Sequence, residues 1–169
     1  MNKSILSDAE IRLRCSGDSP LASGAPNFEE QLQPAGLDVT VQKIARLTGH
    51  ARIGKPYQNQ VASENDVPLN NGWFDLTPGS YILYLNERFD IPHDLAGLVL
   101  PRSTLIRCGG ALESGLWDPG FQGKGRLGLN IPFMEKISIQ KDGPIGQIIF
   151  FQMNQAERGF QFNEFYIDE

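Results

Sequence analysis

Four short segments of this 169-residue chain bring together residue types that bind phosphate and activate water. Arg102, Ser103, Thr104 and Arg107 follow an apolar run in PRSTLIR. A guanidinium binds phosphate oxygens in bidentate fashion and a hydroxyl can reach a bridging oxygen, so this cluster suits a polyphosphate. Asp38 stands beside an Ala-Gly turn in QPAGLDV, and Asp118 precedes a Pro-Gly turn in GLWDPGFQG. Two carboxylates suit magnesium and the activation of a water molecule. Gln147 adds an amide where GPIGQIIF enters the last apolar run. Each residue also has an ordinary structural reading. Asp-Pro-Gly is a strong turn former, a loop arginine is usually just solvated, and an aspartate at a strand entry can bond locally.

The elements that must position these residues are mostly strands. In ILSDAEIRLR, Ser7 and Glu10 form a capping box and Leu6 and Ile11 a hydrophobic staple, which predicts a short helix from about Asp8 to Arg14. GLDVTVQKI alternates Leu37, Val39 and Val41 against Asp38, Thr40 and Gln42, the pattern of a half-buried strand. Residues 48–73 form a polar, turn-rich excursion, expected to carry a strand or two of its own. From Ser80 onward, SYILYLNERF, LAGLVL, KGRLGLNI, KISIQ and IGQIIFFQM are short strands bounded by Gly, Pro, Asn or Asp, which points to a sandwich or barrel. The whole of 1–169 reads as one domain, with residues 1–30 as helix and loop and 157–169 as a tail.

Composition narrows the partners. Fifteen Lys and Arg against twenty Asp and Glu give a net charge of −5, which disfavours a nucleic acid polymer but leaves room for a small phosphorylated ligand. No apolar run is long enough to span a membrane and no signal peptide pattern opens the chain, so a cytoplasmic protein is expected. Cys15 and Cys108 are far apart and read as free thiols, while His50 and His93 read as solvent-facing residues.

The four segments occur in one order along one β-rich chain, and that ordered set resembles the dUTPase and dCTP deaminase superfamily. ILSDAEI and QLQPAGLDV resemble the start of the deaminase-like branch and its archaeal-type dUTPases. LTPGSYILYLNERFDIPHDLAGLVLPRSTLIRCGG is similar to the block leading into the phosphate-binding motif, and GLWDPGFQGKGRLGLN and GPIGQIIFFQ are similar to the third and fourth motifs. The resemblance implies an all-β fold, a distorted jelly-roll β-barrel of the β-clip type with a short N-terminal helix. It also implies a homotrimer with active sites at subunit interfaces, Mg2+ as cofactor and a deoxynucleoside triphosphate, dUTP, as substrate. Asp118 would activate the attacking water, and Asp38 would arrange magnesium through water. Ser103 and Gln147 would contact the substrate's phosphates, Arg102 would hold phosphate or a neighbouring subunit, Thr104 and Arg107 would bind substrate, and Phe121 would pack on deoxyribose. Arg158, followed by Gly159 and Phe160, matches the residue types of a dUTPase lid, but the acidic continuation through Glu164, Asp168 and Glu169 does not. A terminal segment packed through Phe160, Phe162 and Phe165 is the alternative.

The resemblance leaves a choice of reaction. In the deaminases a glutamate ten residues beyond the aspartate shuttles protons, whereas this chain has Gly128 there, and Leu116 replaces an arginine two residues before Asp118. Glu113 and Glu135 are close in sequence but out of register. The expected activity is hydrolysis of dUTP to dUMP and pyrophosphate, the alternatives being a dCTP deaminase, a bifunctional deaminase and dUTPase, and a silent nucleotide-binding homologue. Because glycine cannot transfer a proton, the protein is expected to release no ammonia from dCTP. Clear release would place the proton-transferring group elsewhere.

Overall fold

The computed structural model describes residues 5–55 and 58–161. Helix α1 spans Asp8–Arg14, and both halves of its capping box are made. The Ser7 backbone N–H donates to the Glu10 carboxylate at 3.0 Å, and the Glu10 N–H donates to the Ser7 hydroxyl at 3.4 Å. Leu6 and Ile11 are buried, as a hydrophobic staple requires. Strand β1 (Ala22–Ser23), helix α2 (Phe28–Gln31) and strand β2 (Leu32–Gln33) follow.

The centre of the molecule is β3 (Gly36–Thr48), which turns back on β2 and then runs through both halves of the main sheet. The remaining elements are β4 (Ser63–Asp66), β5 (Leu69–Asn70), β6 (Trp73–Leu76), β7 (Gly79–Asp90), β8 (Leu95–Pro101), α3 (Ser103–Arg107), β9 (Ala111–Glu113), β10 (Gln122–Ile131), β11 (Ile137–Gln140) and β12 (Pro144–Gln152). The main sheet is ordered β8-β12-β3-β7-β10-β9, with β11-β6-β5 as a separate small sheet. Strands make up 49% and helices 10%, and the sheet wraps into a nearly closed barrel. The excursion at 48–73 contributes β4 and β5, as its length led one to expect.

Strand β3 changes partner partway along. Leu37 to Thr40 pair with β12, whereas Val41 to Arg46 pair with β7 across a register shift between Val41 and Lys43. Residues 36–41 are consequently buried on both faces, not on one. Asp38 and Thr40 are only 4% and 3% exposed. The alternation of polar and apolar letters misleads here because the polar side chains meet other polar side chains inside the protein. Helix α3 is a second departure, since PRSTLIR reads as a strand end but folds into a helical turn.

Aromatic packing fixes the loop that carries Asp118. Trp117 exchanges two backbone hydrogen bonds with Gly97 of β8, at 2.8 and 2.9 Å, and its ring meets Phe89 edge-on at 4.7 Å. The far side of the indole lies over Gly125 of β10, where an added Cβ would overlap the ring and approach Leu85 Cδ1 to 2.7 Å. Glycine is therefore required by packing. Gly125→Ala is expected to lower stability by about 1–3 kcal/mol and to shift tryptophan emission as Trp117 is displaced. An unchanged melting midpoint and spectrum would contradict this packing.

Candidate active site

Adjacent strands bring one group of the expected residues together. Asp38 of β3 is in register with Gln147 of β12, which is in register with Leu100 of β8. Arg102 stands directly after β8, in extended conformation, with its N–H donating to Ile145 O at 3.3 Å. From there its guanidinium reaches back to pair with the Asp38 carboxylate. The Asp38 side chain is 6% exposed and that of Arg102 is 37% exposed, so the pair has one buried and one open end. Gly36 leaves room for the Gln147 side chain, whose Nε2 would lie 2.9 Å from a Cβ at that position. Ser103 and Thr104 are exposed on the first turn of α3, and Arg107 is exposed at its end. Arg102, Ser103, Thr104 and Arg107 can thus present cationic and hydroxyl groups to an anion from solvent.

Asp118 and Phe121 belong to a second group. Asp118-Pro119-Gly120-Phe121 is a tight turn closed by Phe121 N–H donating to Asp118 O at 3.1 Å, with Gly120 at φ +82° as its third position demands. Gly120 and Phe121 are also bonded to Ile91, at 2.7 and 2.8 Å. The turn-forming reading of Asp-Pro-Gly is therefore correct, and the same turn holds a half-buried Asp118 at a fixed place. Phe121 is 8% exposed, between Trp117 at 5.5 Å and Phe160 at 5.6 Å between ring centroids. Trp117 bridges to Gly97, five residues before Arg102 along β8. At the rise of a β-strand, those five residues place the backbone anchors of the two groups, Gly97 and Arg102, roughly 15 Å apart.

The tail docks on this second group. Ala156 N–H donates to His93 O at 2.8 Å, His93 Nδ1 lies 3.1 Å from Ala156 O, and Phe160 N–H donates to Pro119 O at 2.6 Å. His93 is thus half-buried and holds the tail, contrary to its reading as solvent-facing, whereas His50 is exposed. Arg158 is exposed. Phe162, Glu164, Phe165, Asp168 and Glu169 lie outside the described residues. Beside Phe121 runs a groove of about 710 Å³, walled by Ile53, Val61, Leu116, Trp117 and Phe160, with Lys124 and Arg126 on its rim. Nearby, Glu64 of β4 accepts the Tyr84 hydroxyl hydrogen bond. Burial, and then that hydrogen bond, push the Tyr84 phenol up to about 12.

Two carboxylates acquire a significance that the letters did not convey. Glu113 sits directly opposite Gly128 across the β9–β10 ladder, and a Cβ on Gly128 would lie 3.0 Å from Glu113 Cβ. Its position one strand over was invisible to a count along the chain. Glu87 is fully buried on the inward face of β7. An acid among the inward positions Tyr81, Leu83, Leu85 and Phe89 was the available signal for it.

A nearly closed barrel whose internal Asp38 pairs with the half-exposed Arg102 is the frame in which the similarities to known proteins stand. The family model described as dCTP deaminase-like matches residues 5–153, and the chain belongs to that family. It is 33% identical over 159 residues to the probable deoxyuridine 5'-triphosphate nucleotidohydrolase of Methanococcoides burtonii, covering 92% of this chain and 94% of that protein. It is likewise 33% identical over 134 residues to the deoxyuridine 5'-triphosphate nucleotidohydrolase of Methanocaldococcus jannaschii, covering 76% of this chain and 83% of that one. The 2'-deoxycytidine 5'-triphosphate deaminase of Agrobacterium tumefaciens shares the fold, with a TM-score of 0.69 and 22% identity over 88% of this chain and 49% of that chain. This chain spans about half the length of that deaminase.

The docked tail yields a stability prediction. Removing everything after Ala156 takes Phe160 from Phe121, and a loss of about 1–2 kcal/mol is expected for an aromatic that is partly buried. The melting midpoint measures it. A truncated protein that melts like the full chain would contradict a structural role for Phe160.

Proposed function

We propose that this protein hydrolyses dUTP to dUMP and pyrophosphate in a homotrimer. The observation that carries the reading is the Asp38–Arg102 pair, in which Asp38 is in register with Gln147 and Arg102 directly precedes the exposed Ser103. That arrangement suits a triphosphate chain, and the archaeal relatives supply the substrate by name. The trimer is supported by the separation of the two groups. Water activation needs a base within hydrogen-bond reach of a water that attacks phosphorus at about 3–3.5 Å, a span far shorter than the roughly 15 Å between their backbone anchors in one chain. One subunit's Arg102 group therefore works with the Asp118 turn of a neighbour.

In the proposed reaction the Asp118 carboxylate takes a proton from water while the water oxygen bonds to the α-phosphorus. The bond from that phosphorus to the bridging oxygen breaks, and pyrophosphate leaves with the electron pair. Arg102 offsets charge on the departing group, and Ser103, Thr104, Arg107 and Gln147 align the phosphates. The groove beside Phe121 receives the sugar and base.

Among the described residues, no group of three or more His, Cys, Asp or Glu side chains is placed to hold a metal. Asp38, already engaged by Arg102, fits Mg2+ that arrives with the triphosphate and is contacted through water. Bound in that way, Mg2+ supplies charge neutralisation to the phosphates. No helix of the described residues is long and apolar enough to cross a membrane.

Deamination of dCTP is a second reading with one support, the Glu113 side chain lying over Gly128. Pyrophosphate release separates the readings. Asp118→Asn is expected to leave the fold and dUTP binding intact and to slow turnover by on the order of a hundredfold or more. Near-normal turnover in this variant would remove Asp118 from the mechanism and leave only its turn.

A further inference from the structure

Where β3 passes from β7 to β12, its backbone groups on the β7 side have no strand to pair with. Val39 is in register with β12, and Val41 bonds to the turn before it, its N–H donating to Gly143 O and its carbonyl accepting from Asp142 N–H, but the Thr40 N–H and the Asp38 carbonyl face the other way, into the protein. Side chains take up both groups. The Glu87 carboxylate accepts from Thr40 N–H at 3.0 Å and from the Thr40 hydroxyl at 2.6 Å. Gln31 Nε2 donates at once to Asp38 O at 2.9 Å and to Glu87 Oε1 at 2.8 Å. Gln31 Oε1 accepts from Asn27 N–H at 3.0 Å, which fixes the amide's orientation. Asn86 Nδ2 closes the network on the Thr40 hydroxyl at 2.9 Å.

We propose that Glu87 is a positioning residue for the candidate active site: with Gln31 it clamps the peptide of residues 38–40 and so sets where Asp38 holds Arg102. The inference rests on the reading of Asp38 and Arg102 as phosphate-site residues. Its physical basis is the acceptor count. Both Glu87 oxygens accept from donors, and a glutamine here would set its own N–H2 against Gln31 Nε2 or against the Thr40 N–H, whichever way its amide turned. One donor of the clamp on residues 38–40 is then left without its acceptor. Glu87 is fully buried, so no water replaces the lost acceptor. Glu87 holds the Thr40 N–H directly and, through Gln31, the backbone carbonyl of Asp38, the residue that pairs with Arg102.

The test compares Glu87→Gln with Ile44→Val, a core change on β3 away from the site, in the full-length protein. Melting midpoints are recorded with kcat for dUTP and the affinity for a non-hydrolysable α,β-imido analogue of dUTP. Glu87→Gln is expected to lower kcat about tenfold or more, with analogue affinity within about threefold, while Ile44→Val lowers the midpoint with kcat unchanged. Should Glu87→Gln fail to fold, Gln31→Met removes the donor shared by Asp38 O and Glu87 Oε1, together with the acceptor for Asn27 N–H, and is expected to lower kcat about threefold. A folded Glu87→Gln or Gln31→Met protein with wild-type kcat would overturn the proposal. An activity-independent readout is the guanidinium resonance of Arg102 by NMR, assigned by its loss in Arg102→Ala. That resonance is expected to shift or broaden in the folded variant. If the wild type does not hydrolyse dUTP, the function reading fails by itself, and an unmoved Arg102 resonance then overturns the positioning role.

Discussion

A buried aspartate bound to an arginine that opens to solvent is the constraint around which this barrel is arranged. Asp38 can lie 4% exposed in the middle of a sheet only because Arg102 meets its carboxylate. The pairing dictates that β3, β12 and the end of β8 lie side by side in one register, since Arg102 reaches Asp38 from the residue that follows β8. It also dictates that β3 leave β7 early, which opens the gap that Glu87, Gln31 and Thr40 fill. The open end of the arginine is left to bind an anion.

The second anchor is aromatic. Phe89, Trp117, Phe121 and Phe160 form a chain of ring contacts from the core to the surface, and the Asp118 turn is strung across its outer end. Backbone bonds from Ile91 and Gly97 hold that turn from the β8 side. The two anchors are rigid for different reasons, one electrostatic and one steric, and β8 keeps them apart. On the proposed function, a subunit built this way would offer half of a site at each of two places.

How much of this was legible depended on whether the signal was local. The capping box of α1 is written in two letters three apart, so its bounds followed directly. The Asp-Pro-Gly-Phe turn and the β-rich second half were legible for the same reason, whereas Asp38, Arg102 and Gln147 stood out through the order of their motifs and the family resemblance those motifs carry. What was hidden required knowing which strands are neighbours. Asp38 and Thr40 looked like the wet face of a strand because nothing in the sequence shows that Arg102 and Glu87 cover them. Glu113 looked out of register because the relevant register runs across β9 and β10. His93 looked exposed because the tail that packs on it comes from the other end of the chain. Helix α3 escaped because five residues cannot show a helical period.

The most direct test of this account is complementation between two inactive chains. Arg102→Ala and Asp118→Asn proteins are unfolded together, refolded as mixed trimers and assayed for pyrophosphate release from dUTP. Sites that draw Arg102 from one subunit and Asp118 from the next should recover about a quarter of wild-type activity on random mixing of equal amounts. No recovery in trimers shown to be mixed would mean that one chain holds the whole site, and the division of the site between subunits would be wrong.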